Sequence, residues 1–159
     1  MNPVFGVTGW KNAGKTTLTE RLVAEFVRRG WRVATVKHAH HAADIDKPDT
    51  DSFRHRAAGA TEVALVTQGR YAIMREQAEP TLAEVLARLA PADLVLVEGF
   101  KRAPHPKIEV RSDESPPMDA AAHNIVAIAS DSHPAGNLPS FARDDIAGIA
   151  DFIARSIGR

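Results

Sequence analysis

A stretch of eight residues near the beginning of the chain constrains its fold more than any other feature. Gly9 to Thr16 read Gly-Trp-Lys-Asn-Ala-Gly-Lys-Thr and fit the pattern G-x-x-x-x-G-K-[ST]. A short run rich in β-branched residues, Val4 to Thr8, comes just before them, and apolar residues at helical spacing follow from Leu18 to Val27. Arg32 to Val36 then has the composition of a second strand. This order predicts a phosphate-binding loop (P-loop) at the first turn of a βαβ unit.

Each fixed position of this pattern has a chemical reason. Gly9 and Gly14 permit backbone angles and close approaches that a Cβ atom would block. The N–H groups between them then point into one concave anion site, and the following helix adds its positive N-terminal end. Lys15 supplies a cation for the terminal phosphates, and the Thr16 hydroxyl is a hard oxygen ligand suited to Mg²⁺. The alternative interpretation is a Gly-containing turn with an unrelated lysine.

The remainder of the chain alternates short apolar runs with amphipathic patterns. Leu94 to Val97 is apolar at every position, which is typical of a strand covered on both faces, and Ile125 to Ala129 is similar. Further predicted elements are a helix over 52–58, a hairpin of 62–67 and 70–75, a helix after Thr81, a strand over 108–110, a surface loop over 111–122 and a C-terminal helix marked by Ile146, Ile149, Ile153 and Ile157. We therefore predict an α/β protein, a P-loop NTPase three-layer sandwich with a mainly parallel sheet and helices on both faces.

Composition narrows the class of protein. The length of 159 residues is that of one ordinary domain, so we expect 1–159 to form a single one. Twenty basic and 20 acidic residues give a formal charge of zero, which argues against nucleic-acid and membrane-surface binding. The chain has no Cys, which excludes disulfides, thiolate zinc sites and a Cys nucleophile. We expect a cytoplasmic protein, because neither a secretory leader nor an apolar run of membrane-spanning length is evident.

Two charged residues are predicted at the ends of strands, on the edge of the sheet that carries the P-loop. Glu98 follows the apolar run Leu94 to Val97 and is a candidate to bind a metal or position a water molecule. Lys37 closes the second predicted strand and is a candidate contact for the γ-phosphate or for an acidic substrate. The alternatives are a capping carboxylate and an ordinary lysine at a strand end.

The loop after the second strand is rich in histidine and aspartate. Asp44 and Asp46 are the Asp residues closest to that strand and are candidate Mg²⁺ ligands, with a solvated acidic loop as the alternative. Clustered histidines at 38, 40 and 41 suggest a transition-metal site, but their spacing is not that of catalytic zinc sites, and a polar loop is the favoured alternative.

Asp131 follows the apolar run that ends at Ala129. A carboxylate there can accept hydrogen bonds from N1–H and the 2-amino group of guanine, a pair of donors that adenine lacks. Asp131 is therefore a candidate guanine-binding residue, with a helix or turn cap as the alternative.

The P-loop segment Gly9–Thr17 and the segments around Lys37, Glu98 and Asp131 occur in the same order as in the MobB family of molybdopterin-guanine dinucleotide biosynthesis adaptors, which this chain resembles. Asp49 departs from that family, since many members have Gly at this position. The resemblance covers essentially the whole chain and rests on Gly9–Thr17, Val36-Lys37-His38 with His40-His41, Asp46-Lys47-Pro48, Asp51-Ser52, Ala58-Gly59-Ala60, Leu96 to Lys101, and Ala127 to Asp131.

The resemblance implies a homodimeric GTP-binding protein that uses Mg²⁺ and hydrolyses GTP at most slowly. Its partner would be a MobA-type guanylyltransferase that joins GMP to molybdopterin, and molybdopterin itself is a further candidate ligand. Lys37 and Glu98 would act on the phosphates and on Mg²⁺, which Thr16, Asp44 and Asp46 are also candidates to bind. The nucleotide-binding residues implied by the motif match are Gly9, Trp10, Lys11, Asn12, Ala13, Gly14, Lys15, Thr16, Thr17 and Asp131.

Two other functions remain open from the sequence. The chain could be a small-molecule kinase or ligase of the dethiobiotin-synthetase kind, in which Lys37 and Glu98 would position an acceptor. It could also be a metal-chaperone GTPase that uses the histidine-rich loop. A preference for GTP with little turnover would favour the adaptor, and acceptor-dependent release of ADP would favour the kinase.

Overall fold

A computed structural model describes residues 2–39, 45–132 and 136–159. The chain forms two compact units, one made of Met1–His38 with Leu82–Arg159 and the other of Ala39–Thr81. The strands are β1 (Val4–Thr8), β2 (Val33–Lys37), β3 (Glu62–Val66), β4 (Tyr71–Arg75), β5 (Leu94–Glu98), β6 (Lys107–Arg111), β7 (Ile125–Ser130) and β8 (Ser140–Phe141). The helices are α1 (Lys15–Arg28), α2 (Asp51–Ala57), α3 (Leu82–Leu86), α4 (Ala120–His123) and α5 (Ile146–Ser156).

The larger unit is built on a six-stranded sheet with the order β2-β5-β1-β6-β7-β8. Every neighbouring pair in this sheet is parallel. β1 lies inside the sheet, between β5 and β6, so the P-loop that follows it emerges at the middle of the carboxyl edge, where ligands of such folds bind. The mainly parallel sheet predicted from the sequence is confirmed.

Helices cover both faces of this sheet. On one face, α1 and α5 bury Leu22, Phe26 and Ile153 against Phe5 and Val7 of β1. On the other face, the region of α3 packs against Val36, Val95 and Val97 through Leu82, Val85, Leu86 and Leu89. Each fully buried large apolar side chain contributes about 1.5–3 kcal/mol to stability, so these contacts fix the three-layer arrangement.

The predicted surface loop over 111–122 is wrong in part. Met118 is buried, and its N–H donates to the Glu109 carboxylate at 3.1 Å. α4 begins at Ala120, where Asp119 caps it by accepting from the N–H of Ala122. The sequence of 111–122 has no periodicity that would predict this structure. The position of Met118 depends instead on the carboxylate of Glu109 in the neighbouring strand β6.

The smaller unit contains α2 and an antiparallel β3–β4 hairpin, as predicted. The Thr50 side chain caps α2, accepting from the N–H of Phe53 at 3.5 Å. Asp49 has a φ of 67°, in the left-handed region that glycine favours, so the aspartate keeps a backbone that suits a glycine. That all of 1–159 behaves as a single domain stays a prediction. Within the described residues, the helices are too short or too polar to cross a membrane.

Candidate functional site: the phosphate-binding loop and its surroundings

The backbone of the P-loop depends on its two glycines. Gly9 has a φ of 150°, and a Cβ atom there would lie 2.5 Å from the carbonyl oxygen of Val110 in β6. Gly14 has a φ of 98° and occupies the N-cap of α1, where it has no side chain to satisfy the first-turn N–H groups. Those N–H groups and the positive helix end therefore remain available to an anion.

Lys15 folds back over this loop. Its ammonium donates to the carbonyl oxygen of Trp10 at 2.7 Å. Partial burial lowers the pKa of Lys15, the nearby cations Lys101 and Lys37 lower it further, and Glu98 opposes them. Burial is the largest of these causes, so Lys15 is a partly desolvated cation that a nearby polyphosphate would stabilise.

Thr16, Glu98 and Lys37 meet at the carboxyl edge of the sheet. The Thr16 hydroxyl donates to the Glu98 carboxylate, with distances of 3.0 and 3.2 Å to its two oxygens. The Lys37 ammonium lies 3.3 Å from Oε1 of Glu98 and 3.3 Å from Oγ1 of Thr16. Register explains the meeting, because Lys37 of β2 lies directly opposite Glu98 of β5.

These residues fit a bound Mg²⁺. Thr16 and the nearly buried Glu98 offer hard oxygen ligands that already share one cation, the ammonium of Lys37. A carboxylate that is 8% exposed needs a positive partner, and either an ammonium or a divalent ion supplies it. We therefore treat Thr16 and Glu98 as the residues that would hold Mg²⁺.

The chain turns sharply after Glu98 through two residues in left-handed conformations. Gly99 has a φ of 95° and Phe100 a φ of 47°. A Cβ atom on Gly99 would lie 2.8 Å from Cβ of His38, so this position has no room for a side chain. The Phe100 ring stacks on the imidazole of His38, with centroids 4.5 Å apart. The turn thereby packs the end of β5 against the residue that follows β2.

Lys101 is a site residue that our sequence reasoning missed. Its ammonium lies 4.7 Å from the centroid of the Trp10 ring, a cation–π distance. The Trp10 ring is held in turn by its indole N–H, which donates to the carbonyl oxygen of Pro116 at 2.7 Å. The available signals were the position of Lys101 three residues after the strand-end Glu98 and its place in the segment Leu96 to Lys101 that contributes to the family resemblance.

Two clefts adjoin the P-loop and share Gly14 and Thr17 in their linings. One, of about 430 Å³, is lined by Glu98 and by the loop residues Lys11, Asn12, Gly14, Lys15, Thr16 and Thr17. The other, of about 310 Å³, extends to Asp131 and Arg143. The shared lining makes the two clefts neighbours.

Asp131 lies in the second cleft and is ion-paired. Its Oδ2 accepts from Nε of Arg143 at 2.8 Å and also from Nη2 of the same side chain. These hydrogen bonds hold the pKa of Asp131 below its usual range, so the carboxylate is charged at neutral pH. Arg143 was missed from the sequence because the strand that precedes it, β8, has only two residues and no detectable period.

The remaining predicted metal ligands belong to the segment 39–81 or lie outside the described residues. Asp44, His40 and His41 lie outside the described residues. Asp46 belongs to the smaller unit, where it accepts from the Ser52 hydroxyl at 2.7 Å and lies 3.5 Å from Nε of Arg56. Within 2–39, 45–132 and 136–159, no three His, Asp or Glu side chains form a group that could hold a metal ion. The roles predicted for Asp44 and Asp46 stay predictions.

Comparisons with known proteins agree with this fold. A family model for MobB, molybdopterin guanine dinucleotide synthesis protein B, matches residues 4–131. The molybdopterin-guanine dinucleotide biosynthesis adapter protein of Escherichia coli K12 is 34% identical over 161 residues, which cover 96% of this chain and 92% of that protein. The protein of the same description from Haemophilus influenzae is 40% identical over 132 residues, 80% of this chain and 74% of that one. The crystal structure of Bacillus subtilis MobB superposes with a TM-score of 0.78 at 28% identity and covers 99% of both chains.

Proposed function

Because this chain belongs to the MobB family of molybdopterin guanine dinucleotide synthesis proteins, we propose that it is a GTP-binding adapter in that biosynthesis. In this proposal, GTP binds with Mg²⁺ at the P-loop, and the loaded protein assists a MobA-type guanylyltransferase that attaches GMP to molybdopterin. Molybdopterin bound to this partner, or directly to the chain, is the acceptor. The proposal applies to a protein of the cytoplasm, where both nucleotide and partner are present.

The observation that carries this proposal is the meeting of Thr16, Glu98 and Lys37 beside Lys15. A hydroxyl, a carboxylate and two ammonium groups converge next to the open N-terminus of α1. This set provides oxygen ligands for Mg²⁺ and cations for phosphate oxygens in one place. Mg²⁺, when bound, would neutralise charge on the β- and γ-phosphates.

Slow hydrolysis is part of the proposal. Among the described residues, the cleft that contains Lys15, Thr16 and Glu98 is lined by neither arginine nor glutamine. Fast GTPases rely on such residues to orient the attacking water and to stabilise the charge that develops in transfer. GTP bound in this cleft would therefore be hydrolysed slowly, and the GTP-bound form of the protein would be long-lived.

The guanine base is assigned to Asp131 in the cleft next to the phosphates. A carboxylate that stays ionised accepts from N1–H and the 2-amino group, as expected for a guanine reader. Asp131→Asn should lower the preference for GTP and raise the relative affinity for xanthosine triphosphate, because the 2-oxo group of xanthine accepts where guanine donates. Retained selectivity for GTP over both XTP and ATP would remove Asp131 from the base site.

Homodimer formation also belongs to this proposal. Opposed residues of the β3–β4 hairpin place Val66, Tyr71 and Ile73 on one face, and these side chains are between 58% and 73% exposed. An apolar face of this kind on a two-stranded sheet is typical of an interaction surface. Its coverage by a second copy would lower the exposed apolar area.

Isothermal titration calorimetry tests the central part of the proposal. With Mg²⁺ present, the protein should bind GTP and a non-hydrolysable GTP analogue more tightly than ATP. Lys15→Ala should reduce this affinity by at least tenfold, because the phosphates lose a partly buried cation. Arg70→Ala, in the hairpin turn of the smaller unit, is the matched control and should bind as the wild type does. Absence of binding by any purine triphosphate would refute the proposal, and acceptor-dependent ADP release would favour a kinase.

A further inference from the structure

The last two strands of the sheet bring opposite charges to one edge. β7 pairs in parallel with β8, and Ala129 lies opposite Phe141. Asp131 directly follows β7, and Arg143 comes two residues after β8. Because parallel strands end at the same edge, both side chains reach the carboxyl edge that also carries the P-loop.

The Arg143 guanidinium lies between this carboxylate and the P-loop backbone. Nε and Nη2 donate to Oδ2 of Asp131, and Nη1 lies 3.5 Å from the carbonyl oxygen of Ala13. A Cβ atom on Gly14 would be 3.7 Å from the same Nη1. The Arg143 side chain is 38% exposed and lines the cleft of about 310 Å³.

A carboxylate beside a guanidinium matches the edge of guanine. N1–H and the 2-amino group of guanine are donors, which a carboxylate accepts, and the adjacent O6 is an acceptor, which a guanidinium satisfies. Adenine has an amino group in place of O6, so its donor would face the donors of an arginine. A pair of this kind therefore discriminates at three groups of the base, whereas a carboxylate alone discriminates only at the two donors.

We propose that Arg143 is a specificity-determining residue that donates to O6 of guanine while it holds Asp131 against N1–H and the 2-amino group. This inference rests on the proposed function, since it needs a guanine nucleotide at the P-loop. The shared lining of the two clefts supports it, because a nucleotide with phosphates at Lys15 would extend past Gly14 and Thr17 toward Arg143. Arg21 and Asp144 are the other charged groups that line the cleft.

A purely structural role explains these contacts less well. An ion pair with both partners this exposed contributes little to stability in water. The Asp131 side chain is 54% exposed and directly follows the buried strand β7, so water can solvate its charge without an ion pair. The contact of Arg143 with the P-loop carbonyl is also unexplained by a need to stabilise the sheet edge.

The experiment compares three nucleotides that differ at single groups. Calorimetric titrations with Mg²⁺ would use GTP, ITP, which lacks the 2-amino group, and 6-thio-GTP, in which a weaker acceptor replaces O6. The wild type should bind both analogues more weakly than GTP. Arg143→Met should bind GTP about tenfold more weakly, lose the preference for GTP over 6-thio-GTP, and lose less of the preference over ITP, because Asp131 remains in place. Arg155→Met, at an exposed arginine of α5 outside the cleft, should keep both preferences.

The outcomes separate this inference from the function on which it rests. A preference for GTP over 6-thio-GTP that survives in Arg143→Met overturns the contact with O6. Equal loss of both preferences also overturns it, because Arg143 would then only position Asp131. Arg143→Lys keeps the positive charge and one donor nitrogen, so it should restore part of the preference for GTP over 6-thio-GTP. It also provides a second variant if Arg143→Met folds poorly. If the folded wild type binds no guanine nucleotide, the proposed function fails as well.

Discussion

At the scale of single residues, Glu98 has an unusual position, since it is a carboxylate that is 8% exposed at the end of a fully buried strand. It is compatible with the core only because Thr16 and Lys37 satisfy it. The Glu98 carboxylate is therefore suited to exchange the ammonium of Lys37 for Mg²⁺. We therefore expect Glu98 to govern how strongly nucleotide binding depends on Mg²⁺.

Glu98→Gln should make GTP affinity nearly insensitive to Mg²⁺ while leaving the fold intact, because glutamine keeps the shape and loses the charge. The measurement is the ratio of GTP dissociation constants with Mg²⁺ and with EDTA, together with the melting temperature without nucleotide. Glu114→Gln, at an exposed carboxylate, should retain the wild-type ratio. A wild-type Mg²⁺ ratio in Glu98→Gln would exclude Glu98 as the metal ligand.

Lys101 allows a second test at this scale. Its ammonium lies near enough to Lys15 to lower the pKa of that residue, so it adds positive charge where the terminal phosphate would bind. Lys101→Met should weaken the binding of a GTP analogue about fivefold and that of GDP by less, as expected for one partly exposed charge. Arg102→Met, at the exposed neighbouring residue, should change neither affinity. Equal losses for both nucleotides would show that Lys101 does not distinguish the terminal phosphate.

At the scale of elements, the sequence predicted most of the framework. The bounds of β1 matched the expected Val4 to Thr8, and β5 differed by one residue, because buried strands and amphipathic helices have clear periods. The grouping of Glu98, Lys37 and Thr16 followed from placing strand ends at one edge. Arg143 could not be predicted, since its position depends on the two-residue β8, whose pairing is specified by β7 rather than by local sequence.

Two helices of the larger unit are joined by an ionic network around Glu25. Its carboxylate accepts from Arg28 and Arg29 of the α1 region, and Arg29 also contacts Asp151 of α5 at 2.7 Å. Hydrogen bonds from the two arginines lower the pKa of Glu25 from 4.5 to about 2. Since the folded-state pKa is the lower one, the contribution of the ionised group is fully present above pH 4.5 and is lost as the pH falls through about 2.

Wild type should therefore be more stable than Glu25→Gln at neutral pH, and the difference should disappear between pH 4.5 and about pH 2. Urea unfolding of both proteins at a series of pH values measures it. Glu20→Gln, at an exposed carboxylate on the same helix, should show a smaller difference at every pH. A stability gap between wild type and Glu25→Gln that persists at pH 2 would contradict the assignment.

At the scale of the whole molecule, the two units differ in how they are stabilised. The larger unit has a six-stranded sheet with helices on both faces, whereas the smaller has one two-stranded hairpin and one short helix. Isolated hairpins are marginal in water, and opening free energies vary widely across a protein. The two units should therefore differ in local stability.

Hydrogen–deuterium exchange should resolve this difference. Amides of β5 and β1 should exchange most slowly, since these strands are paired on both sides and buried, and amides of β3 and β4 should exchange much faster. Added GTP and Mg²⁺ should protect the P-loop and the start of α1 most strongly. Equal protection of hairpin and central strands without nucleotide would contradict the expected hierarchy.

The smaller unit interrupts the larger one along the chain. The smaller unit is one continuous segment, which begins after His38 and ends before Leu82. The six-stranded parallel sheet therefore contains no strand from it. Insertions and deletions in 39–81 would leave the strand pairing and the register of that sheet unchanged. Evolution can therefore change the length and composition of this segment without altering how the strands of the larger unit pair.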